Sequence, residues 1–128
     1  MTKVSVGIVA ALSGLVLALT AAPLAVAKDG DVIRRGNCTG ATDWKLKLSE
    51  EDGRIEVEFE VDQTRNGVSW NVRLFQNGSQ IARATRVTRG PSGSFELRRV
   101  APNTAGTDSF RARATRASGE VCTGRASF

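Results

Sequence analysis

Arg54-Ile55-Glu56-Val57-Glu58-Phe59-Glu60-Val61-Asp62 alternates apolar and charged residues without a break. A period of two puts Ile55, Val57, Phe59 and Val61 on one face and the glutamates on the other, as a strand with one dry side requires. On a helix the same four apolar residues would scatter around the axis. Just upstream, Trp44-Lys45-Leu46-Lys47-Leu48 alternates with the opposite parity, and Glu50-Glu51-Asp52-Gly53 between them reads as a four-residue hairpin loop. That loop pairs Leu48 with Ile55, Leu46 with Val57 and Trp44 with Phe59, and it sets Lys47 against Glu56 and Lys45 against Glu58. A slip of one residue would break the apolar and the charge pairing together.

The remaining strands follow outward from this pair. Val32-Ile33 gives a short edge segment in an otherwise polar, frayed stretch from Lys28 to Gly36. Beyond the turn at Asn66-Gly67, Val68, Trp70, Val72 and Leu74 form an apolar face, and Asn77-Gly78 is the strongest two-residue hairpin signal in the chain. Ser79 to Thr88 has mixed parity and reads as an edge strand with a bulge or a change of sheet. Gly90-Pro91-Ser92-Gly93 breaks the chain before Ser94–Val100, where Phe95 and Leu97 point inward. Asp108 to Arg116 alternates again with small alanines on its inner side, and Glu120 to Phe128 is the last strand. Seven short strands with turn signals between them predict an all-β chain, a seven-stranded antiparallel β-sandwich of immunoglobulin-like or fibronectin-III-like order. Trp70 is its expected central core residue. The chain has no tyrosine, so the corner tyrosine of antibody domains is missing, and Phe110 occupies the corresponding region.

The chain has 128 residues and opens with Lys3, an apolar run from Val4 to Leu19, a breaker region to Pro23 and Ala25-Val26-Ala27. This is the layout of a cleaved secretory signal peptide over residues 1–27. It predicts a flexible N-terminal segment over 28–37, a sandwich domain over 38–128, secretion to the medium or cell wall, and no membrane attachment after cleavage. Cys38 and Cys122 are the only cysteines, and in an oxidising compartment they have one intramolecular pairing. With no CxxC spacing and no histidine, the pair reads as structural rather than redox-active or metal-binding.

Asn37-Cys38, Thr42-Asp43-Trp44-Lys45-Leu46, Gly67-Val68-Ser69-Trp70-Asn71-Val72, Asn77-Gly78, Gly93-Ser94-Phe95, Asn103-Thr104-Ala105-Gly106-Thr107-Asp108 and Gly119-Glu120-Val121-Cys122 together resemble small exported proteins of actinobacteria without an established activity. The resemblance spans essentially the mature chain. It implies a secreted β-sandwich and carries over no catalytic or ligand residue.

The absence of histidine excludes Ser-His and Cys-His nucleophile systems and His-bearing zinc sites. Lys45 and Lys47 stand on a wet strand face, where a Ser-Lys mechanism has no use for them. Glu56, Glu58 and Glu60 lie about 6.6–6.8 Å apart along one face, a spacing glycosidases use, but an acid ladder is also what a solvated strand face looks like. Glu50-Glu51-Asp52-Gly53 is too short for a dedicated calcium loop. The chain therefore reads as non-catalytic, with no cofactor and no metal.

Removing Lys3 with the signal leaves 17 basic against 13 acidic residues, a mild positive balance. In the expected topology Arg73 shares an outer face with Arg111 and Arg113, opposite a face carrying Glu56, Glu58 and Glu60. The function expected is binding: a basic, anion-binding face contacting anionic cell-envelope polymers such as teichoic acids, or an acidic protein partner. An exported protein meets little nucleic acid. Two alternatives stand beside it. One is a hydrolase inhibitor presenting Arg89-Gly90-Pro91-Ser92 or the Ala101–Thr107 corner. The other is a small-ligand carrier like the immunoglobulin-like apoproteins resembling neocarzinostatin, which have two disulfides where this chain has cysteines for one.

Overall fold

The structure, a computed structural model, describes residues 30–128. The expected signal segment and its cleavage point lie outside the described residues. Eight strands follow in order: β1 (Val32–Asn37), β2 (Asp43–Glu51), β3 (Arg54–Asp62), β4 (Ser69–Gln76), β5 (Ser79–Val87), β6 (Ser94–Pro102), β7 (Ser109–Thr115) and β8 (Val121–Ser127). They form two antiparallel four-stranded sheets, β1-β2-β3-β6 and β5-β4-β7-β8, packed as a sandwich. The count corrects the expected seven. The short Val32-Ile33 segment, taken with its surroundings as flexible, extends through Asn37 because it pairs with β2 from Asp43 to Leu48.

The β2–β3 hairpin also corrects its register. Leu48 lies opposite Val57, Leu46 opposite Phe59 and Trp44 opposite Val61, two residues further on than expected. The loop is the two-residue Asp52-Gly53, with φ of 49° and 76°. Two consecutive positive φ values make the tight turn whose twist matches that of its flanking strands. Glu50 and Glu51 join the ladder, and the Glu50 carboxylate accepts the Gly53 N–H at 2.7 Å. A shift of two keeps every side chain on its face, so the charge logic survives with new partners. Lys45 pairs with Glu60 at 3.5 Å and Lys47 with Glu58 at 3.7 Å.

Inner faces of both sheets supply the core. Leu46, Leu48, Ile55, Val57, Phe59 and Val61 from one sheet meet Trp70, Val72, Leu74, Ala112 and Ala114 from the other, all fully buried or nearly so. Trp44 fits at the β1/β8 side only because both neighbours lack a side chain. A Cβ at Gly36 would stand 2.5 Å from its ring, and one at Gly124 would stand 2.9 Å away. At that side the Cys38–Cys122 disulfide ties the β1–β2 loop to β8 across the two sheets. Thr39 N–H donates to the Val121 carbonyl, and buried Glu120 accepts from the Thr42 N–H and hydroxyl. Burial pushes the Glu120 carboxyl up, but Arg116 and Thr42 outweigh it and hold it below the ordinary glutamate range.

A second carboxylate clasp closes the opposite end. Asp108 is fully buried and accepts from the Thr104 hydroxyl and N–H, the Gln76 amide and the Asn77 amide. Its backbone pairs with Phe128, so one residue joins β4, the β6–β7 loop and the C-terminus. The Thr104 hydroxyl above all, with the amides of Asn77 and Gln76, holds this carboxyl below the ordinary aspartate range. A folded-state pKa below the unfolded one stabilises the protein above the unfolded value of about 3.9 and ceases to do so as pH falls through the folded value. Asp108→Asn is therefore expected to unfold several degrees below wild type at neutral pH, with the gap closing in acid. A gap that stays constant in thermal melts from neutral to strongly acidic pH would refute this assignment.

Candidate anion-binding face

The outer face of sheet β5-β4-β7-β8 is built by strand alternation. On β4 the outward positions are Ser69, Asn71, Arg73 and Phe75, while Trp70, Val72, Leu74 and Gln76 point in. Register then sets the row. Arg83 of β5 and Arg113 of β7 both lie directly opposite Arg73. The next row carries Phe75, Arg111 and Arg125 on β4, β7 and β8. Five arginines thus form one oblique band across four strands.

Expectation and structure agree on Arg73, Arg111 and Arg113, which share this face and line one concavity of about 330 Å³ with Asn71, Phe75 and Arg83. Arg83 was not foreseen. Counting straight through the Asn77-Gly78 hairpin would put Ala82 opposite Arg73. The register shifts between Leu74 and Phe75, leaves Ile81 over on β5 and brings Arg83 into the row. The bulge expected in this edge strand is therefore what completes the cluster. Arg125 was legible, since Thr123, Arg125 and Ser127 share a parity opposite to Cys122.

The two outer faces differ in how their charges are answered. On sheet β1-β2-β3-β6 the acid ladder meets Lys45, Lys47 and Arg98. Arg98 donates to Glu56 at 2.6 Å and to Glu51 at 2.7 Å. The Arg98 hydrogen bond, aided by Glu51, lowers the Glu56 carboxyl to about 2, while burial and then the neighbouring Glu56 and Glu96 push Glu58 up. These glutamates serve the sheet's own ion pairs. Lys47 also reaches Asp31 at 3.7 Å, and Ser49 donates to the same carboxylate.

No such pairing reaches the arginine band. Among the described residues the ion pairs involve Lys45, Lys47, Arg98 and Arg116, and none involves Arg73, Arg83, Arg111, Arg113 or Arg125. Arg111 instead lies over the Phe75 ring, 4.2 Å from its centroid. Like charges directly opposite one another in a sheet are destabilising. Planar guanidinium groups are also the side chains best suited to grip phosphate or carboxylate by two parallel hydrogen bonds.

The loops considered for inhibition are folded onto the body. Arg89 and Ser94 bridge across Gly90–Gly93, and a Cβ at Gly93 (φ 73°) would stand 2.2 Å from the Arg65 nitrogen. The 101–107 corner is held by the Asp108 clasp. Among known proteins, no family model, no curated protein and no solved structure matches the chain.

Proposed function

We propose that this is a secreted, non-catalytic β-sandwich that binds an anionic polymer of the cell envelope through the arginine band of sheet β5-β4-β7-β8. The single observation carrying the reading is the row Arg83–Arg73–Arg113, three like charges side by side with no acid to answer them. Such a row costs folding stability, a cost that an anion lying over it would offset. Strand order β2-β3-β6 against β5-β4-β7-β8 supports the finer architectural reading, an immunoglobulin-like sandwich of fibronectin-III plan with β1 added at one edge. A disulfide, and described residues with no helix long and apolar enough to cross a membrane, suit an exported protein.

A polymer is favoured over an acidic protein by what the face lacks. Protein interfaces centre on buried aromatic and apolar anchors within a polar rim. Val87 is the one large apolar side chain exposed among the described residues, and the Phe75 ring is covered by Arg111. The expected retention on anionic wall polymer falls steeply with salt, as counterion release requires.

The triple variant Arg73→Ser/Arg111→Ser/Arg113→Ser is expected to bind such polymer about 100-fold more weakly or worse. It should also melt no lower than wild type, because relieving repulsion stabilises the sheet by about 0.2–1 kcal/mol per pair. Arg35→Ser on the other sheet serves as the control and should change neither. Unchanged retention of the triple variant would remove the proposal. Arginine-dependent binding to polyglutamate as tight as to the polymer would keep the face and assign it to an acidic protein.

A further inference from the structure

Resting on the anionic-polymer reading, we infer that the polymer crosses the strands rather than following them, and that uncharged, hydroxyl-bearing units join its phosphates. The ligand class is a linear phosphodiester of polyol or sugar units.

Direction follows from where the charges sit. Along β4 one of four outward positions is an arginine, and along β8 Arg125 shares its face with Val121, Thr123 and Ser127. A chain following either strand would meet one guanidinium, and one following β7 would meet two, Arg111 and Arg113. A chain crossing from β5 to β8 meets Arg83, Arg73, Arg113 or Arg111, and Arg125 in turn. Neighbouring arginine positions are about 5–7 Å apart at Cα, set by the strand spacing and by the two-residue step along β7. Phosphates separated by a short linker suit that interval better than condensed phosphates, whose neighbours share an oxygen.

The linker has a place beside the arginine row. A second concavity of about 410 Å³ adjoins the first, and the two share Phe75 and Arg111. Its walls include Gly78, Ser109, Arg125 and Ser127. Serine hydroxyls offer hydrogen bonds to a polyol, the Phe75 ring offers an apolar edge, and Gly78 leaves the floor open. Acidic side chains are absent from both linings, so nothing there opposes the phosphates. Arg111, stacked on Phe75, stands at the junction, where a phosphate leaving the arginine row would be followed by its neutral neighbour.

The test uses the signal-free chain and three probes: poly(glycerol phosphate), inorganic polyphosphate of matched charge, and glycerol phosphate alone. At physiological salt, poly(glycerol phosphate) is expected to bind about tenfold tighter than polyphosphate, and the monomer too weakly to measure. Ser127→Trp, which fills the second concavity from an exposed position, should cost the glycerol polymer about tenfold and leave polyphosphate within about twofold. Ser109→Tyr repeats the experiment from the other wall if Ser127→Trp melts early. Arg83→Ser and Arg125→Ser, at opposite ends of the band, should each weaken the polymer.

Equal binding of the two polymers, with neither filling variant discriminating them, would overturn the linker assignment while leaving the anionic face standing. A silent Arg83→Ser or Arg125→Ser would overturn the crosswise path. Failure of both polymers to bind wild type would overturn the anionic-polymer reading itself.

Discussion

Replacing Cys38 and Cys122 together by serine is expected to lower stability by about 4 kcal/mol while leaving the folded structure in place. The bond closes 84 residues of chain, nearly the whole domain, so it removes much of the freedom of the unfolded state. In the folded state other groups already hold the same ends together. Thr39 N–H donates to the Val121 carbonyl at 2.9 Å, and the Val121 N–H donates to the Thr39 hydroxyl at 2.9 Å. The serine pair should therefore fold to the same structure and bind the same polymers.

For a domain of this size 1 kcal/mol corresponds to about 4–8 °C, so the melting midpoint is expected to fall by about 15–30 °C. Urea unfolding distinguishes this account from a simple loss of packing. An uncrosslinked chain exposes more surface when it unfolds, so the slope of stability against urea should rise along with the fall in midpoint. A serine pair within about 1 kcal/mol of wild type, with an unchanged slope, would show that the crosslink acts elsewhere than on the unfolded chain.

The same stretch of sequence shows why some of this structure was legible and some was not. Arg54–Asp62 declared its faces by period alone, and β3 buries Ile55, Val57, Phe59 and Val61 as that period requires. Register along the strand is a weaker signal. Lysines recur every second residue on one member of the hairpin and glutamates on the other, so a shift of two residues exchanges one set of favourable pairs for another. Only the turn could decide it. Asp52-Gly53 is a two-residue turn sequence, and giving the loop four residues overlooked how well aspartate and glycine tolerate positive φ.

β1 was underestimated for a related reason. Val32-Ile33-Arg34-Arg35-Gly36-Asn37 has little apolar pattern, because an edge strand gains its place from backbone pairing and from the flat contact of Gly36 with Trp44. At the candidate site, Arg73, Arg111 and Arg113 were found by combining parity with strand order. Arg83 depends on a bulge whose exact place no periodicity reveals. Buried carboxylates are also hard to foresee. Asp108 and Glu120 read in the sequence as the first residues of strands, and become clasps only when nearby Thr104 and distant Gln76, Asn77 and Thr42 converge on them.

Trp70→Ala is the second large effect, an expected loss of about 3–5 kcal/mol, because the cavity left by a buried tryptophan collapses only in part. Trp70 is wholly buried on β4, tilted 52° against Phe95 with ring centroids 6.1 Å apart. Its indole N–H donates to the Gln63 side chain at 3.1 Å, and the Arg116 guanidinium lies 5.6 Å from its ring centroid. Arg116 in turn donates to Glu120, so the ring braces the carboxylate clasp as well as the core. Trp70→Phe keeps much of the ring volume and removes the N–H, and it is expected to cost about 1–3 kcal/mol through the stranded Gln63 oxygen and the smaller ring. Urea denaturation of the two variants separates the terms. A loss under about 1 kcal/mol for Trp70→Ala would mean that the sheets close over the gap and that β4 is not held from inside.

The function should register the same event. Three residues beyond Trp70, Arg73 occupies the middle of the arginine row and points outward from the same strand. Seating β4 from within is what keeps Arg83, Arg73 and Arg113 in line. Polymer binding by Trp70→Ala should therefore follow its folded fraction as urea is raised, point for point with the near-ultraviolet signal. Binding that survives after the core signal is lost would mean that charge alone, without the sandwich, accounts for recognition.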